Sequence, residues 1–448
     1  MKLLRVVVGV ILVSLAASAV LAATTVQLGS DPTKHIIRGT IVTPDQVLVG
    51  EVVIENDTIT CVAADCADPS GASIYTVTNG YIYPGFIDAH NHVAYNVLPK
   101  WEPPRHDYQN RYQWQREDEY KTFKKPYNDL KDTHGLYCEM VKYGEVKALI
   151  SGITSIQGTS PGSTCVRTLI RNVENQSELG VSADHIRTHV LPIDAFSGTI
   201  NWTVTKSFVV HLAEGIDQKS RDEFQVLTQK KLLNGGTAII HATAFGDAEF
   251  KAMGQVGAKL IWSPQSNKVL YSQTTDIPLA VKHGVEVSLG VDWNPSGSDT
   301  IFDELRVAAA VNEDDFGGVI SDGDWLEMIT VNPARALALD TKIGRLAATF
   351  KADITVLREQ DNDPHVSLRK NHLQDVEMVW LSGQLLYGRE SVLQKVKPNQ
   401  CERLRVKGSN KRVCVADSVH PVTKSSQTLE QIRTALLDKY PQLAPLVP

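Results

Sequence analysis

Cysteine is scarce in this chain, six in 448 residues, and no two of the six stand in C-x-x-C spacing. That removes a thiolate zinc cluster and a dithiol redox site from consideration. An even count instead suits disulfides in an oxidising compartment. Cys61 with Cys66 and Cys401 with Cys414 read as local staples, which leaves Cys138 and Cys165 as a third pair. A surplus of positive charge is also missing. The formal net charge is −6, so there is no basic field for a polyanion, and the expected partner is a small molecule and not nucleic acid. Long apolar runs are absent after the first two dozen residues, and nothing downstream is expected to span a bilayer.

The first segment, "MKLLRVVVGVILVSLAASAVLAAT", has Lys2 and Arg5 ahead of an apolar core and ends in small residues, with cleavage expected after Ala22 or Ala23. Residues 1–23 therefore read as a signal peptide and the mature chain as periplasmic or secreted, with no membrane attachment once the signal is removed. The competing reading is an uncleaved anchor. No cysteine follows the run, so a lipid anchor is not indicated. Sequons stand at Asn56, Asn175 and Asn201. The oligomeric state is left open.

A hydrophobic fraction of 42% and a charged fraction of 21% are those of a globular chain able to bury a large core. Residues 24–80 alternate strand-like runs with turns, as in "HIIRGTIVTPD" and "GEVVIENDTITCV", and residues 341–415 return to that texture in "FKADITVLRE" and "VEMVWLSGQLLYGRE". Together they predict a small β-sandwich assembled from both chain ends. Between them, over 81–340, short apolar strands alternate with helical stretches, the pattern of parallel βα units. Seven such strands can be drawn, "YIYPGFIDAH", "GITSIQGT", "IRTHVLPI", "SFVVHLAEG", "TAIIHATAFG", "AKLIWSP" and "VEVSLGVDW". A closed (β/α)8 barrel needs eight. Either the eighth lies in an irregular stretch such as 194–205 or the barrel is imperfect. Residues 95–135, rich in Trp, Tyr, Arg and Glu, form an insertion after the first strand, expected to be a lid or rim or else a surface loop packed on itself. Residues 416–448 read as a linker and one amphipathic helix.

Side chains in a strand alternate faces, so His90 and His92 in "FIDAHNHVAY" are expected to point the same way as a chelating pair, with Asn91 opposite. Partners stand at the ends of later strands: His211 in "FVVHLAEG", His241 in "AIIHATAFG" and Asp292 in "SLGVDWNPSG". Parallel barrel strands deliver their C-terminal ends to one face, where these side chains can meet one ion. Imidazole and carboxylate suit a divalent zinc, iron or manganese better than magnesium or calcium. Asp88 shares the face of the histidine pair and is a candidate to fix an imidazole tautomer, or simply a structural cap. Ser266 and Asn267 in "SPQSN" line the pocket or hold the adjacent turn. His189 reads as a core histidine.

With "PGFIDAHNH", "HLAEG", the His241 strand, "SPQSNKVLY", "LGVDWNPSGS" and "ITVNPARALALDTKIGRLAATFKADITVL" in place, most of the mature sequence resembles the amidohydrolase superfamily. The motifs are nearest to the branch of cytosine deaminase, guanine deaminase and triazine hydrolases, because that branch also shows His-x-x-Glu, here His211 and Glu214. The resemblance implies a metal held by His90, His92, His211 and Asp292, with His241 either a ligand or a hydrogen-bond partner of the water. A binuclear centre would need a carboxylated lysine from a middle strand. "IRTHVLPI" has none, and Lys206 lies roughly 16 Å before His211 along an extended strand, so one ion, most readily zinc, is expected. The implied catalytic set is Glu214, His241 and Asp292. The expected reaction is hydrolysis of a non-peptide C–N bond in an amide, cyclic amide or amidine by metal-activated water. The alternatives are a heterocycle deaminase, a dipeptidase-like activity, or a secreted binding protein that has lost catalysis.

Overall fold

The computed structural model describes residues 24–158, 169–174, 179–416 and 427–448. The expected signal peptide, Cys165 and the sequon at Asn175 lie outside them.

Both chain ends build one sheet. Its ten strands run in the order Glu402–Val406, Ser409–Val413, Gln384–Arg389, Val376–Leu381, Ile354–Arg358, Ser73–Pro84, Lys34–Val42, Val47–Glu55 and Thr58–Ala63, with Thr25–Gln27 added beside Ser73–Pro84. The expected sandwich is thus one continuous hydrogen-bonded sheet, in which Ile354–Arg358 pairs antiparallel with Ser73–Pro84 and joins the two ends of the sequence. Alternating burial fits the pleat of a sheet packed on one face, as along Ser73–Thr78. Cys61–Cys66 and Cys401–Cys414 are both formed. The expected partner of Cys138 is the undescribed Cys165.

"YIYPGFIDAH", expected as one barrel strand, is divided. Tyr81–Pro84 finishes the sheet strand, and Phe86–Asp88 is a separate barrel strand. Gly85 marks the crossing, where a Cβ would lie 2.4 Å from Thr154 Oγ1. Among the described residues the barrel consists of a three-stranded arc, Phe86–Asp88, Ile153–Ile156 and Arg171–Asn172, and a five-stranded arc, Ile186–His189, Ser207–Leu212, Thr237–His241, Lys259–Trp262 and Val287–Leu289, eight strands with every pairing within the arcs parallel. The eighth strand is therefore Arg171–Asn172 and not part of 194–205, where Ile193–Ala195 forms a 3-10 turn. It escapes pattern reading because it is two polar residues long. Buried Arg171 is paired with Asp353 and donates to Ser155 Oγ at 2.9 Å and Ser382 Oγ at 2.8 Å, which ties barrel to sheet.

One seam between the arcs closes by a parallel bridge of Asn91 with Asp292, where the Asp292 amide donates to the His90 carbonyl at 2.8 Å. The expected C-terminal helix is Leu429–Lys439. It buries Leu429, Ile432 and Leu436, and beyond it Tyr143 donates to the Ala444 carbonyl at 2.6 Å. Among the described residues no helix is long and apolar enough to cross a membrane.

Candidate metal centre and active site

His90 and His92 do not sit in the strand itself. The strand stops at Asp88, and the pair occupies the bend that follows. They converge nonetheless, because the bridge to Asp292 holds the bend. Gly290 permits the approach, since a Cβ there would stand 2.4 Å from His90 Cβ. His211 is the penultimate residue of the strand Ser207–Leu212, His241 ends Thr237–His241, and Asp292 lies just past Val287–Leu289. His241 (φ 70°) and Asp292 (φ 63°) both adopt the left-handed backbone region, a cost of order 1–3 kcal/mol each that surrounding structure must offset.

The donor atoms form a closed circuit. His90 Nε2 is 3.0 Å from His211 Nε2, and His211 Nε2 is 3.4 Å from His92 Nε2. His92 Nε2 is 3.5 Å from Asp292 Oδ1, which is 3.4 Å from His90 Nε2. A tetrahedral zinc with bonds of about 2.0–2.1 Å separates its ligand atoms by roughly 3.3 Å. The four separations around this N3O set match that spacing, so the residues fit a single ion. Burial drives the imidazoles toward the neutral form that a metal binds, lowering His92 to about 4 and His90 and His211 well below the usual histidine value. Burial also raises Asp292 to about 8, so a cation at the circuit would restore its ionised form.

Asp88 does not touch an imidazole. Its Oδ1 accepts from the backbone of His90 at 3.3 Å and Val291 at 3.1 Å, and its Oδ2 from Asn91 Nδ2 at 2.8 Å. It therefore anchors the bend, while His90 Nδ1 meets Ser263 Oγ at 2.8 Å instead. Ser263 was not singled out in the sequence, although it directly follows the strand Lys259–Trp262. Asn91 Oδ1 accepts from Asn96 Nδ2 at 2.9 Å, so both ends of its amide are engaged within this segment. His189 lies outside the cluster, with Nε2 3.2 Å from the Pro192 carbonyl. Ser266 pairs with Ser296 at 2.8 Å. Lys206 precedes its strand at the end opposite His211.

His241 differs from the other three histidines. The Trp262 indole N–H, which can only donate, bonds Thr274 Oγ1 at 2.7 Å. Thr274 then donates to Asn267 Oδ1 at 3.2 Å, and Asn267 Nδ2 reaches His241 Nδ1 at 3.0 Å. The relay runs in one direction and leaves the proton on Nε2, which lies 3.7 Å from Glu214 Oε2. His241 thus presents a donor N–H beside the donor circuit. Asn267 does not merely hold a turn; it sets this tautomer.

The insertion walls a cavity of about 400 Å³ over these groups. Tyr95, Arg111, Trp114, Tyr120 and Tyr127 come from it, joined by Gln157, Glu174 and Trp293. Trp101, Tyr108, Trp114, Tyr120 and Trp293 pack as one buried aromatic cluster, so the segment is a packed rim of the site. Arg111, 3% exposed, places Nη1 3.6 Å from Glu214 Oε2. Neither Arg111 nor Tyr271, which donates to Glu214 Oε1 at 2.8 Å, was legible as a site residue, because nothing in local spacing marks them.

The amidohydrolase family profile matches residues 204–386. A 5-methylthioadenosine/S-adenosylhomocysteine deaminase of Desulforudis audaxviator is 31% identical over 135 residues, 30% of this chain and 31% of that protein, so the chain spans about a third of that relative's length. The enzyme of the same name from Caldanaerobacter subterraneus subsp. tengcongensis is 21% identical over 406 residues, 78% of this chain and 91% of its own. Among solved structures, the zinc complex of an atrazine chlorohydrolase from Arthrobacter aurescens TC1 superposes with a TM-score of 0.58 at 17% identity, covering 78% of this chain and 94% of that one.

Proposed function

We propose that the chain is a member of the amidohydrolase superfamily, a metal-dependent hydrolase of C–N bonds other than peptide bonds, with one zinc ion held by His90, His92, His211 and Asp292. The observation that carries the reading is the circuit of four donor atoms 3.0–3.5 Å apart. A bound divalent ion supplies Lewis acidity and lowers the pKa of a water it holds to about 7.

The side chains divide the remaining work. Asp292 accepts a proton from the attacking water. His241 donates its Nε2–H to the substrate's carbonyl oxygen, where negative charge develops. Glu214, whose carboxyl is raised chiefly by burial, holds a proton and delivers it to the leaving nitrogen. Arg111 then faces the carboxylate so formed. The aromatic rim suits a substrate with a planar or apolar substituent, in an amide, cyclic amide or amidine.

A heterocycle deaminase is the second reading, favoured by the His211-x-x-Glu214 pair and by the names of the relatives. The expected N-terminal signal and the disulfides Cys61–Cys66 and Cys401–Cys414 support export to the periplasm or medium, away from nucleobase salvage, and favour the first reading. Metal analysis of the purified protein, with a turnover screen across amides, cyclic amides, amidines and adenosine derivatives, tests the proposal. Absence of stoichiometric metal, or turnover of none of these classes, refutes it and leaves a binding protein.

A further inference from the structure

We propose that Tyr271, held by Trp114 of the insertion, is the positioning residue that reserves one oxygen of Glu214 and leaves the other for proton transfer. This rests on Glu214 as proton donor.

Trp114 Nε1 donates to Tyr271 Oη at 2.9 Å, and an indole N–H has no other role to play. The Tyr271 oxygen is therefore an acceptor on that side, and its own hydrogen goes to Glu214 Oε1 at 2.8 Å. With Oε1 engaged as an acceptor, the proton that Glu214 carries in its role as acid is confined to Oε2. That oxygen lies 3.6 Å from Arg111 Nη1 and 3.7 Å from His241 Nε2, beside the donor circuit. All three members of the relay are buried, Trp114 at 6%, Tyr271 at 1% and Glu214 at 7% exposure, which strengthens each of its hydrogen bonds.

The backbone carries the same coupling. The Arg111 amide donates to the Glu214 carbonyl at 3.0 Å, the Ile216 amide to the Gln109 carbonyl at 2.8 Å, and Asn110 bridges Gly215. A Cβ at Gly215 would meet the Gln109 carbonyl at 2.5 Å, so glycine lets the insertion lie against the acid's own chain. In the step itself, the C–N bond breaks with its electron pair staying on nitrogen, which takes the Oε2 proton. The proton lost by the attacking water to Asp292 restores Glu214.

The test uses the zinc-loaded protein, Tyr271→Phe and Trp114→Phe, and a series of ring-substituted acetanilides from 4-nitro to 4-methoxy. Acid assistance matters most for the poorer leaving group. Tyr271→Phe is expected to lower kcat roughly tenfold for the 4-methoxy anilide and much less for the 4-nitro, with KM and zinc content unchanged. Trp114→Phe should shift both in the same direction by less. An equal loss across the series, or none, overturns the relay. Glu214→Gln as active as wild type instead overturns Glu214 as the acid. An infrared readout needs no substrate. The protonated carboxyl C=O band, isolated as the wild-type minus Glu214→Gln difference, should move to higher wavenumber in Tyr271→Phe, because its carbonyl oxygen loses a donor. An unmoved band overturns the proposal.

Discussion

Asp292→Asn is expected to stabilise the metal-free protein and abolish its response to zinc. The carboxyl is 4% exposed, and burial, the largest cause, raises its pKa from 3.8 to about 8. The folded state then binds this proton more tightly than the unfolded state. Metal-free stability is therefore full below the unfolded value and falls as pH rises from about 4 to 8. Four pKa units at about 1.4 kcal/mol each set a ceiling of about 6 kcal/mol at pH 8. Asparagine keeps the shape without the charge. Unfolding entropy of about 2.1 cal/mol/K per residue makes each kcal/mol worth about 1 °C in a chain this long, so the variant should melt about 5 °C above wild type at pH 8 with EDTA and nearly level with it at pH 4. One equivalent of zinc should reverse the order, stabilising wild type alone. Scanning calorimetry at both pH values, with EDTA or zinc, reads all four states. A metal-free variant that melts no higher at pH 8, or one that binds zinc stoichiometrically, refutes both the burial argument and the ligand role.

Glu214→Gln should lower kcat at least about 100-fold with zinc content unchanged, measured by turnover beside metal analysis. Asn267→Leu should free the His241 tautomer and lower kcat/KM about tenfold, while nitrogen-15 shifts of the His241 ring lose the Nε2–H form and zinc binding persists. Arg171→Leu leaves Asp353 buried without its partner and should cost roughly 3–5 kcal/mol in urea denaturation. Adding Asp353→Asn should recover part of that loss, and a neutral single variant would refute the tie between barrel and sheet.

The barrel strands were legible in the sequence because they follow from backbone periodicity, and so was the convergence of the candidate ligands His90, His92, His211 and Asp292 at one end of the barrel. A short apolar strand ending in His or Asp, repeated along the chain, places donors on one face of a parallel barrel whatever the loops do. The same logic failed where strand pattern and strand identity part company. Arg171–Asn172 is a barrel strand made of polar residues, and Tyr81–Pro84 looks continuous with Phe86–Asp88 yet belongs to another sheet. What periodicity cannot deliver is the set of side chains that orient the donors. Ser263 reaches His90 across 173 residues, Tyr271 reaches Glu214 across 57 and Trp114 reaches Tyr271 across 157. Such contacts depend on which rotamer meets which across the barrel mouth, and a sequence window of a dozen residues holds none of that information.

Both relays into the candidate catalytic groups begin at a tryptophan, Trp262 for His241 and Trp114 for Glu214. An indole N–H can only donate, so it fixes the direction of every hydroxyl and amide that follows it. One relay therefore leaves His241 with a proton to offer on Nε2, and the other occupies Glu214 Oε1 and leaves Oε2 free for proton transfer, 3.7 Å from His241 Nε2 and beside the donor circuit. Trp262 belongs to a barrel strand, but Trp114 belongs to the insertion. The candidate ligand set can therefore be complete without this insertion, while the orientation of Glu214 then has to be set by other means. Activity on poor leaving groups should accordingly depend on the 95–135 segment even though no residue of it belongs to the ligand set.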